Sequence, residues 1–330
     1  LSIDAVITWV DGADPAHAEK RARLAGTSGH SGGAAPTRFT DSGEIYLCIA
    51  SLLKFAPFLR RIHVLTDAQK PDLLDDFATV GLCAPDRIVL ADHRDAFAGL
   101  SDALPTFSSR SIESTMHRLP GLAERFVYLN DDMLLTAPAT PDDFFREGRP
   151  VLRGIMRKPA ARRGIGRLTA TLRALARRPN RRAGHEYSQE MAAAMVGFTD
   201  AFLRVPHCPH PLRVSVIETA LADRPGCLER QVSHRFRARE QYSPIAFANH
   251  VELSLGTPHH RPPEMAYIRG PEDLPSGLER IRSGAVSVAC LQSLDAYPEA
   301  ARRSALRYLA EVLSSHLPPR IAARLTGAAA

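Results

Sequence analysis

Cysteine is scarce and scattered in this sequence. Cys48, Cys83, Cys208, Cys227 and Cys290 are odd in number and never spaced as C-x-x-C. This argues against a disulfide framework and a zinc site, and points to a reducing, cytoplasmic compartment. Long apolar runs are also missing. None approaches the ~18 consecutive apolar residues that a membrane-spanning helix needs. Acidic residues vanish from Gly148 to His185, while eleven arginines and one lysine fall between Arg149 and Arg182.

What remains is ordinary globular material: 330 residues, 45% hydrophobic and 24% charged, with a net charge of +6. That suffices for one large domain or two of common size. Most of the charge excess comes from the basic block. Within it, Ile165, Leu168, Leu172 and Leu175 recur on one helical stripe with arginines around it. Such a stripe is a helix packed on its own domain, or one that rests on anionic lipid or an anionic polymer. Zinc-finger spacing, RNP-like aromatics and heptads are absent, so nucleic acid is not the expected partner.

Three apolar runs end in acidic or turn residues: "IDAVITWVDG" at Asp11-Gly12, "RIHVLTDAQ" at Asp67, and "RFVYLNDD" at Asp131-Asp132. Near-continuous Val, Ile and Leu suggest strands covered on both faces. Between the first two, Ile45, Cys48, Ile49, Leu52 and Leu53 recur at helical spacing until Pro57. Strand, helix, strand predicts an α/β fold with a mostly parallel sheet. Ligands of such sheets sit at the carboxyl ends of strands, so the three acidic clusters should converge. Two adjacent carboxylates inside an apolar run either make a turn or hold a divalent cation. Convergence favours the cation, Mg²⁺ or Mn²⁺. The Gly/Ser/Ala segment 26–35 reads as a loop near the site, and residues 186–246 as mainly helical.

Several stretches, taken together and in order, resemble the Stealth family. They are "IDAVITWVDGADP", "RFTDSGEIYLCIASLLKFAPFLRRIHVLTDAQKP", "LPTFSSRSIESTMHRLPGLAERFVYLNDDM", "HCPHPL" and "SHRFRAREQYS". That family includes bacterial capsular polysaccharide phosphotransferases and the catalytic part of animal N-acetylglucosamine-1-phosphotransferase. A last block, "VACLQSLD", departs from the family's Cys-x-Asn-Asp: Gln292 and Ser293 replace the amide and the carboxylate. Its role is therefore in doubt. The resemblance implies a Rossmann-like, glycosyltransferase-A-like sheet flanked by helices, with a mostly helical second half. It also implies transfer of a hexose-1-phosphate from a nucleotide-sugar, commonly a UDP-sugar, to a hydroxyl of a polysaccharide or glycolipid acceptor, with release of UMP.

On that resemblance, Asp131 and Asp132 are the expected metal ligands, and Glu113 is a further ligand or an orienting carboxylate. His207 is the expected general base and Arg237 the phosphate-binding cation, with His210 and Arg235 as their neighbours and competitors. Asp11, Gly12, Arg38, Asp67, Ser109 and Arg110 are assigned to donor binding. Asn130 is expected to form the turn, Trp9 to be core, and Asp4, which begins its strand, to be structural. Residues 1–148 would form the nucleotide-sugar and metal-binding half and 149–185 a basic helical insertion. Residues 186–330 would complete the same catalytic domain. Peripheral contact with the inner membrane face would run through Arg153–Arg182. The alternative enzyme is a metal-dependent glycosyltransferase releasing UDP. A polyanion-binding module would leave Glu113, the aspartate pair, His207 and Arg237 unexplained.

Overall fold

The computed structural model describes residues 2–28, 41–160, 184–256 and 259–327. Arg38, residues 29–35 of the Gly/Ser/Ala segment and the stretch Arg162–Arg182 lie outside the described residues. At the described edge of the basic block, Arg153 donates to the Asp143 carbonyl and Arg157 pairs with Glu186.

The central sheet has five strands. Strand β1 (Ile3–Thr8) is flanked by β2 (Ile62–Thr66) and β4 (Arg125–Asn130), both parallel to it. Strand β3 (Ile88–Asp92) extends the sheet beyond β2, again in parallel. The chain thus steps outward from β1 to β3 and then returns to the other side of β1 for β4. That reversal opens a crevice at the carboxyl ends of β1 and β4, where open α/β sheets bind ligands.

The apolar runs are continuous because both faces of the sheet are covered. Successive side chains of a strand point to opposite faces. Ile3, Ala5, Ile7, Ile62, Val64, Val127 and Leu129 join one core, while Val6, Leu65, Phe126 and Tyr128 join the other. The first core is built on α2 (Glu44–Phe55) and a small second sheet. That sheet is formed by β5 (Met133–Leu135) with two later strands, Met265–Ile268 and Val288–Leu291. The helices Glu299–Val312 and Pro319–Thr326 close the same core. A Cβ at Gly43 would lie 2.4 Å from Leu325 Cδ2, and its φ of +92° is one that side chains disfavour, so glycine is required there.

Two features depart from the sequence reading. β3 was not anticipated. It is an edge strand with Leu90 exposed, so it lacks the fully apolar pattern of its neighbours. The second half is helical, as expected, yet it also supplies a strand to the main sheet. His210–Arg213 pairs antiparallel with β4, opposing His210 to Tyr128. A proline inside that run masks it, because proline is tolerated only where no ladder hydrogen bond is needed.

Candidate active site

The run "FVYLNDDMLL" is two strands, not one. Its first half is β4 in the large sheet and its second half is β5 in the small one, with Asp131 and Asp132 at the joint. The joint is pinned from the side: Leu291 N donates to the Asp132 carbonyl at 3.0 Å, and Cys290 Sγ lies 3.4 Å from Asp132 Oδ2. The two carboxylates are therefore held at the crevice between β1 and β4.

A cavity of about 340 Å³ opens at this point. Thr8, Trp9 and Val10 at the end of β1, Asn130, Asp131 and Asp132 at the end of β4, and Ser109, Glu44, His207 and Arg237 all line it. The sequence reading brought Asp131, Asp132, Ser109, His207 and Arg237 to one place, and they do share this cavity. Asn130 lies on its wall, its side-chain oxygen accepting from the Tyr128 hydroxyl at 2.6 Å.

Carboxyl groups crowd one side of it. Burial, then Asp132, Glu44 and Asp41, push the Asp131 pKa well above the usual range. Burial also raises Asp132, to about 6, against the hydrogen bond from Cys290. Glu44 rises to about 7 through burial, with Asp41 and Asp132 adding to it and the Ser42 amide at 2.7 Å opposing. Asp132 Oδ1 is buried without a partner among the described residues. Such a set suits a hard divalent cation, which would favour the ionised carboxylates and satisfy the orphaned oxygen. No group of three or more His, Cys, Asp or Glu side chains among the described residues closes a complete cage. Mg²⁺-type sites commonly use one or two carboxylates and fill the remainder with water and substrate phosphate.

The cationic side is equally constrained. Arg237 Nη2 donates to Ser109 Oγ at 2.5 Å. Ser109 opens α3 (Ser109–Thr115), and Glu113 lies one turn further along it, outside the residues that line the cavity. Burial raises the Glu113 pKa, and the guanidiniums of Arg237 and Arg110 pull it back. Arg110 is buried, donating to the carbonyls of Ala238 at 3.1 Å and Gln241 at 3.0 Å. It braces the Arg237 segment and does not line the cavity, which corrects its assignment to donor binding. Gln241 completes the brace by accepting from Ser108 Oγ and Ala238 N and donating to Ser111 Oγ.

His207 is clamped between two rings. His185 stacks on it at 4.8 Å and 20°, and Tyr267 on it at 5.6 Å and 6°. The Gln189 amide lies 2.6 Å from His185 Nε2 and can only donate to it, so that nitrogen carries no proton. Burial lowers the His207 pKa from 6.5, aided by Arg237 and Arg204, and lowers His185 to about 4. The competitors are placed elsewhere. His210 lies within the sheet, stacked on Tyr128. Arg235 donates to the carbonyls of Pro105 and Asp102.

Other expected donor-binding residues reach the right edge but not the cavity. The backbone of Asp11 is pinned by Gln69, and its carboxylate accepts from Ala13 N. The Gly12 carbonyl accepts from Arg21, and Asp67 pairs with Lys20 at 3.2 Å. Trp9 is buried as expected, yet it also lines the cavity. The doubted segment is part of the wall too: Leu291, Gln292, Ser293 and Asp295 line the cavity, and Ser293 has a φ of +53°. Its departure from the family spelling concealed this, although Cys290 at its start was a signal. His17 and His93 were missed because each lies in a separate segment of unremarkable local sequence, and Glu44 and Phe107 because the family stretches that contain them gave them no role.

Family models give the decisive likeness. Stealth protein conserved region 2 matches residues 38–151 and conserved region 1 matches residues 2–29. The chain belongs to the Stealth family. An exopolysaccharide phosphotransferase of Streptomyces coelicolor is 32% identical to this Stealth chain over 285 residues, covering 86% of the chain and 49% of the relative. The receptor polysaccharide phosphotransferase WefC of Streptococcus oralis is 42% identical over 148 residues, 44% of this chain and 42% of that protein. The chain thus spans about half the length, or less, of these curated relatives. Among solved structures, the galactosyltransferase LgtC covers 96% of both chains at 12% identity and a TM-score of 0.44. Mouse xyloside xylosyltransferase 1 covers 88% of this chain and 97% of its own at 11% identity and a TM-score of 0.39. These are likenesses of outline alone. His207 and Arg237 lie outside both matched regions, so the cavity ties them to the family's first two blocks through space.

Proposed function

We propose that this Stealth chain is a phosphotransferase of exopolysaccharide or capsule synthesis. It moves a hexose-1-phosphate from a nucleotide-sugar, a UDP-sugar by preference, to a hydroxyl of a polysaccharide or glycolipid acceptor. The observation that carries this reading is one cavity lined by two crowded carboxylates, a braced guanidinium and a neutral imidazole. Attack on phosphorus requires neutralised phosphate oxygens and a base beside the acceptor hydroxyl.

The acceptor oxygen attacks the phosphorus that bears the sugar. The bond from that phosphorus to the bridging oxygen breaks, UMP leaves, and a phosphodiester joins sugar and acceptor. The hydroxyl proton passes to the ring of His207, which burial keeps unprotonated and so free to accept it. Arg237 holds the phosphate oxygens through its planar fork, oriented by Ser109 and, from behind, by Glu113. Asp131 and Asp132 would hold Mg²⁺ or Mn²⁺, which supplies positive charge to the diphosphate.

The deciding experiment identifies the released nucleotide in a reaction with a UDP-sugar and an acceptor glycan. UMP is expected. UDP would mean that the sugar–oxygen bond breaks instead, and would replace phosphotransfer by glycosyl transfer.

A further inference from the structure

The cavity extends past the groups that the transfer uses. Toward β3 its wall is made by His17, His93, Phe107 and Ile112. His17 comes from the helix Pro15–Ser28 and His93 from the turn that follows β3, and each is only 2% exposed. Phe107 stacks on Phe236 at 5.2 Å and meets the His17 ring edge-on at 5.2 Å, so its plane is fixed. His93 Nδ1 is buried with no hydrogen-bond partner among the described residues. Buried polar nitrogens are rarely left so, and an ordered water, an ion or a bound molecule is what supplies the partner.

The chemistry of this corner differs from that of the centre. Burial lowers both histidines below their ordinary pKa, His93 to about 4, with Asp67 opposing in each case. Both rings are therefore neutral near pH 7; a neutral imidazole carries one donor and one acceptor nitrogen, and at His93 it is Nδ1 that is left for a ligand. Asp67 and Lys20 nearby pair with each other. Flat apolar walls with neutral donors and acceptors suit an uncharged planar heterocycle better than a phosphate or a sugar. The position agrees. β4, which carries the carboxylates at its end, and β3 are three strand spacings apart, about 14 Å. A donor lying along the edge with its diphosphate at the carboxylates would carry its base toward β3.

We propose that the corner formed by His17, His93 and Phe107 is the nucleobase pocket of the donor, and that it takes a pyrimidine. The choice of base follows from size: the whole cavity, which must also hold phosphates and sugar, is about 340 Å³, near the small end for ligand sites. The proposal rests on the reading of the donor as a nucleotide-sugar.

Trp9 is the only tryptophan of the sequence and lines the cavity, so its fluorescence reports ligand binding. The full chain would be titrated with UMP, CMP, AMP, GMP and, as a ligand without a base, ribose 5-phosphate. The wild type should bind UMP at least about tenfold more tightly than ribose 5-phosphate. His93→Leu should narrow that ratio to about threefold or less while leaving ribose 5-phosphate unchanged. His93→Gln, which keeps a polar group, should recover part of the ratio, and it replaces the leucine variant should that one fail to fold. An unchanged ratio in both variants, or equal weakening of both ligands, would overturn the pocket. AMP or GMP bound as tightly as UMP would overturn the pyrimidine assignment. If the wild type binds no nucleotide at all, the donor reading itself falls.

Discussion

The two ends of the paired strands β1 and β4 present the same residue type in opposite conditions. At its start, Asp4 is fully buried and fully engaged. Arg60 donates to it through Nε at 2.9 Å and Nη2 at 2.6 Å, Ala123 N at 2.8 Å and Arg61 N at 3.1 Å, with His63 Nε2 at 3.3 Å. Burial alone would raise its pKa, but these partners hold it well below the carboxylate range. At the far end of the neighbouring strand, burial drives Asp131 and Asp132 upward, and at Asp131 the neighbouring carboxyls add to it. A carboxylate whose partners are all present in the chain serves the fold. One whose partners are missing awaits a ligand.

Chemistry should fail most completely at the crowded end. Asp132→Asn is expected to lower turnover about 1,000-fold or more, roughly 4 kcal/mol, the scale of a lost metal clamp. Its thermal midpoint should hold or rise, because a like-charge conflict is relieved. EDTA should abolish wild-type turnover and Mg²⁺ or Mn²⁺ restore it. Activity and melting curves on the same preparation check both halves. A variant that lost stability along with activity would erase the contrast.

At the satisfied end the effect should fall on stability. Asp4→Ala is expected to cost about 3–5 kcal/mol in denaturant unfolding at pH 7, because it leaves a buried network without its anion. Its pH signature follows from a depressed carboxyl. The stabilisation is complete above the unfolded pKa of about 3.9 and is lost as pH falls toward the lower folded value. The gap between wild type and Asp4→Asn should therefore be constant above about pH 5 and narrow below about pH 4.

Smaller effects sharpen the picture inside the cavity. His207→Ala should slow turnover about 100-fold, the usual scale for a lost general base. In the wild type the rate should be level at neutral pH and fall on the acid side, since the base works unprotonated and its pKa lies below 6.5. His185→Ala removes one face of the ring clamp and is expected to cost about tenfold, or 1.4 kcal/mol. Its pH–rate profile should show the acid limb moving up toward 6.5, because His207 becomes easier to protonate. A rate loss without that movement would reduce His185 to packing.

Much of this was legible in the sequence because local signals and global arrangement agree there. β1, β2 and β4 carry continuous apolar runs, and their acidic ends mark the ligand edge. Asp4 was readable as structural from distance alone: it begins a strand whose other end faces the site. His17, His93 and Phe107 are brought together by the helix Pro15–Ser28, the turn after β3 and the loop before α3, and nothing local in the chain marks that meeting. Arg110 shows the opposite failure. An arginine in a family block looks like a phosphate ligand, and only its buried carbonyl partners reveal a brace.

The fit of Leu325 against Gly43 has a consequence for how the chain folds as it is made. Ile3 and Leu325 belong to one core, so the strands that hold the carboxylates cannot be fully covered until the helix Pro319–Thr326 has been synthesised. Translation at roughly 5–20 residues per second leaves on the order of 15–50 s between the emergence of β2 and that of Leu325. During that interval the apolar face of α2 is open to chaperones, and the ligand edge beside it is unfinished. A nascent chain whose Pro319–Thr326 helix has not yet emerged should therefore be silent toward donor and metal, and binding should appear only once that helix has docked.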